Sequence, residues 1–139
     1  MTSEDSVDAL VDALVRCTFQ VTGVLTSIGA ANDLSLTQLR VFGILRDRRP
    51  RVTELAAYLG LDKSSMSGLI DRAERRGLLG RAKDPADGRA VVVFLTPAGH
   101  ELTRTLYVQV RDALAPALGR LRPEQREQLL QSLGPLLGD

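Results

Sequence analysis

Residues 52–69 read VTELAAYLGLDKSSMSGL, and the spacing within this stretch decides the fold. Counted from Val52, small Ala56 stands fifth and Gly60 ninth. Leu55, Leu59, Leu61, Met66 and Leu69 occupy the fourth, eighth, tenth, fifteenth and eighteenth places. A helix-turn-helix needs this pattern: a small residue where two helices approach, a glycine in the turn between them, and apolar residues facing a shared core. Asp62 or Ser64 can cap the second helix, and Thr53 is expected to cap the first. Short helix pairs with glycine turns also occur in plain bundles, so the flanking sequence has to discriminate.

At 100° per residue, Met66, Leu69, Ile70 and Ala73 cluster on one side of the second helix. The opposite side shows Ser64, Ser67, Gly68, Asp71, Arg72 and Arg75, with Lys63 and Ser65 at its start. Short hydroxyls let a backbone approach a DNA groove, and arginines reach guanine or a flanking phosphate. For Arg76, ordinary helix-surface pairing with a nearby acid is the expected role. Gly77 stands where a helix C-terminal cap belongs. Two short extended runs follow, Leu78 to Lys83 and Arg89 to Leu95, joined by Asp84-Pro85-Ala86-Asp87-Gly88. Asp87-Gly88 is a hairpin-turn dipeptide. Arg81 lies on the approach strand and Arg89 at the tip, where an arginine suits a narrow minor groove. Asp87 is expected to orient Arg89 or a neighbouring arginine by a charge-assisted bond.

Upstream, Val7, Leu10, Val11, Leu14, Val15, Phe19, Leu25 and Ile28 recur at helical spacing, so the first thirty residues read as one long amphipathic helix. Ser35 with Gln38 is a capping-box signature for a helix ending before Pro50. Thr96-Pro97 opens a helix that Pro116 should kink or end, and a last helix starts at Pro123. The fold class is therefore mainly α (α+β), a winged helix-turn-helix with a two-stranded β-wing plus N- and C-terminal helices. One domain is expected over 1–139, with the winged region at 33–96 and dimerisation helices at 1–32 and 97–139.

Charge supports the same reading. The chain's net charge is +1. Residues 1–39 hold one arginine against five acids, residues 40–89 hold twelve Lys/Arg against seven acids, and the remainder balances at five against five. A basic middle on a near-neutral chain is what a locally anionic partner such as double-stranded DNA requires. A single cysteine, Cys17, and a single histidine, His100, exclude a disulfide framework and a Cys/His zinc site. With one histidine and no glycine-rich phosphate loop, no enzyme and no cofactor is expected. The acidic N-terminus and the lack of any run near 20 apolar residues point to the cytoplasm.

Across the whole chain the sequence resembles the multiple antibiotic resistance regulator (MarR) family. The resemblance is carried by Leu36-Thr37-Gln38-Leu39, Val52-Thr53-Glu54-Leu55-Ala56, Lys63-Ser64-Ser65-Met66-Ser67, Leu69-Ile70-Asp71-Arg72, Arg76-Gly77-Leu78, and Asp84 to Arg89 leading into Leu95-Thr96-Pro97-Ala98-Gly99. It implies a homodimer on a pseudo-palindromic operator, usually a repressor, released by a small phenolic or anionic effector or by oxidation. Carried onto this chain, the recognition helix is 63–76 with contacts from Ser64, Ser65, Ser67 and Arg72, and the wing is 81–89 with its contact at Arg89. Lys63, Arg75 and Arg81 complete the expected DNA-binding set. Ser65 and Arg72 are assigned to base preference and Arg89 to a sequence-independent contact. An effector pocket is expected near Phe19 and Phe42. Cys17 is expected to be buried and inert. The rival reading is a winged-helix protein-protein assembly module that does not bind specific DNA.

Overall fold

The computed structural model describes residues 2–139. Its elements are α1 (Ser3–Ala31), α2 (Leu36–Leu45), α3 (Val52–Leu59), α4 (Lys63–Arg75), β1 (Leu79–Lys83), β2 (Val91–Leu95), α5 (Pro97–Leu118) and α6 (Pro123–Leu137). The chain divides into two compact units, Leu25–Tyr107 and the joined ends Met1–Val24 with Val108–Asp139.

The central unit is built on local signals that the side chains satisfy. Ser35 Oγ accepts from the Gln38 backbone N–H at 3.1 Å, and Gln38 Oε1 accepts from the Ser35 N–H at 2.8 Å, closing the capping box of α2. Helix α3 ends at Gly60, whose φ of +67° places it in the left-handed region that glycine adopts without strain. The N–H of Leu61 then bonds Ala56 O at 3.0 Å and that of Gly60 bonds Ala57 O at 3.2 Å, a Schellman closure that turns the chain toward α4. Helix α4 closes the same way, with Leu78 N–H on Ala73 O and Gly77 N–H on Glu74 O.

Between these caps Val41, Phe42, Leu45, Leu55, Met66, Ile70 and Val93 are almost completely buried. Each such side chain contributes about 1.5–3 kcal/mol by leaving water. They join α2, α3, α4 and the sheet in one core that also takes in Leu78, Leu79, Leu95 and Leu106. Strands β1 and β2 pair antiparallel, Leu79 opposite Leu95 through Lys83 opposite Val91. A short third segment extends the sheet: Arg51 forms a β-bridge with Val92, and Pro50 O accepts from Val93 N–H at 3.0 Å.

Several local expectations change. Thr53 does not cap α3; the N-cap is Arg51 and Thr53 lies inside the first turn, because sheet-like pairing at residues 50–51 sets where the helix starts. Asp87-Gly88 does not make a two-residue turn. Residues 84–90 form a longer loop in which Asp84 Oδ1 accepts from Ala86 N–H at 2.9 Å and Asp87 Oδ1 from Arg89 N–H at 3.1 Å, and Gly88 has no positive φ. Pro116 does not end α5, which runs to Leu118.

In the terminal unit, Val7, Leu10, Val11, Val15 and Phe19 of α1 and Leu129, Leu130, Leu136 and Leu137 of α6 are exposed in the single chain. Cys17 is exposed as well, contrary to expectation, because it lies on the same uncovered stretch of α1. One 18-residue window of α1 is also long and apolar enough, by length and composition, for a membrane span. Its Val, Leu and Ile raise the average hydropathy while Thr, Ser and Gly, polar but uncharged, barely lower it. The absence of a span-like stretch expected above therefore does not hold for α1.

Candidate nucleic-acid interface

Helix α4 presents its first turn to solvent. Asp62, the N-cap, accepts through Oδ1 from the Ser65 N–H at 2.7 Å and from Ser64 Oγ at 2.9 Å. The Ser65 N–H first, and the Ser64 hydroxyl second, hold the Asp62 carboxyl below its ordinary range. Lys63, Ser64 and Ser65 remain exposed around it. Because the native pKa is lowered, the cap's contribution is complete above the ordinary aspartate value of about 3.9 and is lost as pH falls through the lower native value. The Ser65 amide resonance should therefore titrate with a midpoint below about 3.9 and stop titrating in Asp62→Asn. A midpoint at or above that value would contradict the cap.

Further along the helix, Arg72 lies back toward its own start, so that a Cβ on Gly68 would stand 3.3 Å from Arg72 Nη1. Arg75 lines a shallow recess with Asp71 and Glu74. Lys63, Arg72 and Arg75 form no ion pair among the described residues. Arg76 behaves differently. Its Nη1 and Nη2 donate to the carbonyls of Asp33 and Asn32 at 2.9 and 3.1 Å, so it secures the α1–α2 turn to the end of α4. The expected pairing with a nearby acid is not formed, because Arg81 takes Asp71 and Glu74 and Arg76 binds backbone carbonyls instead.

The wing places its cations unequally. Arg89 is 94% exposed, and its Nε donates to Asp87 Oδ1 at 3.4 Å. The expected pairing of Asp87 with Arg89 is present in the structure. Arg81 instead turns onto α4, where its guanidinium pairs with Asp71 and, at 2.8 Å, with Glu74. It partly offsets the charge of two acids on α4 and joins β1 to that helix. Sequence reading gave no sign of this, since the partners lie seven and ten residues away across a helix terminus. Between α3, α4 and the wing runs a groove of about 630 Å³ with Val52, Ala56, Met66 and Ile70 in its lining and Lys63, Ser67, Arg81 and Arg89 among its polar groups.

A second wing anchor was also missed. Arg51 Nε donates to Asp84 Oδ2 at 2.6 Å. The Ala86 N–H first, and then the Arg51 guanidinium, hold the Asp84 carboxyl below its usual range, and Asp84 in turn raises the Arg51 pKa. The two phenylalanines expected near an effector pocket, Phe19 and Phe42, lie in different units. Phe42 is 1% exposed and fills the core of the winged unit, whereas Phe19 is exposed on α1. Among the described residues no cluster of metal-ligating side chains occurs.

Comparison with known proteins rests on this geometry. A family model described as the MarR family matches residues 32–90, from the turn before α2 to the wing loop. The helix-turn-helix-type transcriptional regulator YfiV of Bacillus subtilis (strain 168) is 31% identical over 121 residues, covering 81% of this chain and 76% of the relative. The chain belongs to the MarR family. This MarR-family protein is thus a transcriptional regulator with a winged helix-turn-helix fold. It is also 28% identical over 110 residues to the transcriptional repressor NicR of Pseudomonas putida KT2440, covering 77% of this chain and 70% of NicR. Among solved structures, the regulator BldR of Sulfolobus solfataricus superposes with a TM-score of 0.80 at 21% identity, over 99% of both chains, which is a likeness of fold. BpsR of Bordetella bronchiseptica, whose DNA binding is regulated by 6-hydroxynicotinic acid, superposes with a TM-score of 0.69 at 26% identity, over 93% of this chain and 94% of that one.

Proposed function

We propose that this MarR-family regulator is a cytoplasmic, homodimeric repressor that binds a pseudo-palindromic operator through α4 and the wing and is released by a small anionic or phenolic ligand. The observation that carries this reading is the pairing of an exposed, Ser-rich start of α4 with a 94%-exposed wing arginine on one winged unit. The first suits base edges in a major groove, the second a minor groove or phosphate. Lys63, Ser64, Ser65, Ser67, Arg72 and Arg75 are assigned to the major-groove face and Arg89 to the wing contact. Arg81 acts beside them as a brace. Repression is supported by the likeness to NicR, and ligand release by the likeness to BpsR.

Dimerisation covers the apolar faces of α1 and α6, which a monomer leaves in water. Two protomers related by a two-fold axis set two recognition helices about 34 Å apart, one turn of DNA. The test combines mass and salt. Sedimentation should return about twice the 15.1 kDa chain mass. On a duplex selected from a random pool, log K should fall with log salt with a slope approaching about −7, from four exposed cations per protomer. A stable monomer, or binding indifferent to salt, would reject the reading.

A further inference from the structure

The two acids of the wing loop have different partners. Asp87 pairs with its near neighbour Arg89, whereas Asp84 reaches back thirty-three residues to Arg51 at the N-cap of α3. Asp84 also organises the loop at both ends. Its Oδ1 accepts from Ala86 N–H at 2.9 Å, and its own N–H donates to Ala90 O at 2.9 Å. Arg51 is fixed by its β-bridge to Val92 and by the neighbouring Pro50 O to Val93 N–H bond. Glu54, with its Oε1 at 3.7 Å from Arg51 Nε, adds a weaker attraction from the first turn of the helix.

We infer that Arg51 is a positioning residue for DNA recognition: by clamping Asp84, it holds the loop 84–90 at a set place beside α3 and so presents Arg89 to DNA. Arg89 is nearly free in solvent and is restrained only by Asp87 within its own loop. A guanidinium on an unanchored loop loses both loop and side-chain freedom when it binds, and that loss subtracts from affinity. Anchoring the loop in the free protein removes most of it. Arg51 contributes through the position of Arg89, with no contact to DNA of its own. This rests on the reading above that Arg89 contacts DNA.

The test uses the full chain and a duplex selected by the wild-type protein from a random pool. Arg51→Met and Asp84→Asn should each weaken binding about tenfold, the size of one coupled charged pair, and together no more than either alone. Arg89→Ala should weaken the wild type by a similar factor but change little on the Arg51→Met background. Arg51→Lys, which keeps the cation, should recover most of the affinity. Independently of DNA, amide exchange at Asp84, Ala86 and Ala90 should accelerate in Arg51→Met while Leu69 and Ile70 of α4 stay as protected as in wild type. If α4 loses protection too, Asp84→Asn and Arg51→Lys carry the comparison. Additive losses from Arg51→Met and Arg89→Ala, or unchanged exchange in the loop, would overturn the inference. An Arg89→Ala variant that binds like wild type would reject the DNA contact itself, and loop exchange would still report whether the clamp exists.

Discussion

Gly99→Ala is expected to lower the melting temperature by about 10 °C, although the change raises helix propensity. Gly99 lies in the first turn of α5, where alanine is ordinarily better than glycine by about 1 kcal/mol. Here the backbone of another element occupies the space. A Cβ at Gly99 would stand 2.1 Å from Leu78 O, a distance no side-chain adjustment relieves. That carbonyl already accepts from Thr96 N–H at 3.1 Å. Thr96 Oγ1 in turn donates to Gly77 O at 2.6 Å and accepts from Gly99 N–H at 3.1 Å. The end of α4, the approach to β1 and the start of α5 thus meet at one point. Relief requires moving α5 or breaking the Thr96–Leu78 bond. Overpacking of about 1–3 kcal/mol plus an orphaned buried carbonyl outweighs the propensity gain, leaving a net loss of about 3 kcal/mol. Gly43→Ala is the control, because its Cβ meets nothing within 4 Å in the middle of α2. Thermal unfolding of the two variants should shift in opposite directions. Two upward shifts would show that the α5 start does not lie against Leu78.

The parts of this chain that could be read from sequence are those decided within one helical turn. Gly60 at the ninth place does adopt a left-handed conformation, Ser35 and Gln38 do close a capping box, and Asp62 does cap α4. Each depends on partners three or four residues apart. The misreadings share the opposite property. Thr53 has the right chemistry for a cap, but pairing of residues 50–51 with β2 moves the helix start two residues earlier. Asp87-Gly88 favours a tight turn, but the bonds of Asp84 to Ala86 N–H and to Ala90 O close a longer loop around it. Cys17 looks alike in sequence whether its helix is covered or not, and only the uncovered stretch of α1 leaves it exposed. For the residues proposed to face DNA, sequence identifies which side chains share a face of α4. It does not show which wing arginine is committed to an internal partner, because Arg51–Asp84 and Arg81–Asp71 are set by tertiary geometry.

Arg81→Met should therefore reduce DNA affinity although Arg81 is turned away onto α4. In the folded protein the Arg81 guanidinium lies between Asp71 and Glu74, the two acids of the recognition helix. Removing it subtracts one cation and also uncovers two carboxylates on the element proposed to enter the major groove. At ~8 Å from a phosphate, one uncovered carboxylate is repelled by ~0.5 kcal/mol in water and ~2 kcal/mol near a protein surface. Salt at physiological strength screens this toward the lower figure, since the Debye length is also about 8 Å. The cluster goes from one net negative charge to two, so the change is one unit of charge and amounts to about twofold to tenfold weaker binding. The decisive measurement is the triple variant Arg81→Met, Asp71→Asn, Glu74→Gln. If Arg81 serves as a brace that neutralises the helix, taking the acids away as well should restore most of the affinity. If Arg81 itself reached the DNA in the bound state, the triple variant would recover only part of the loss, because removing the acids relieves repulsion but does not replace the contact.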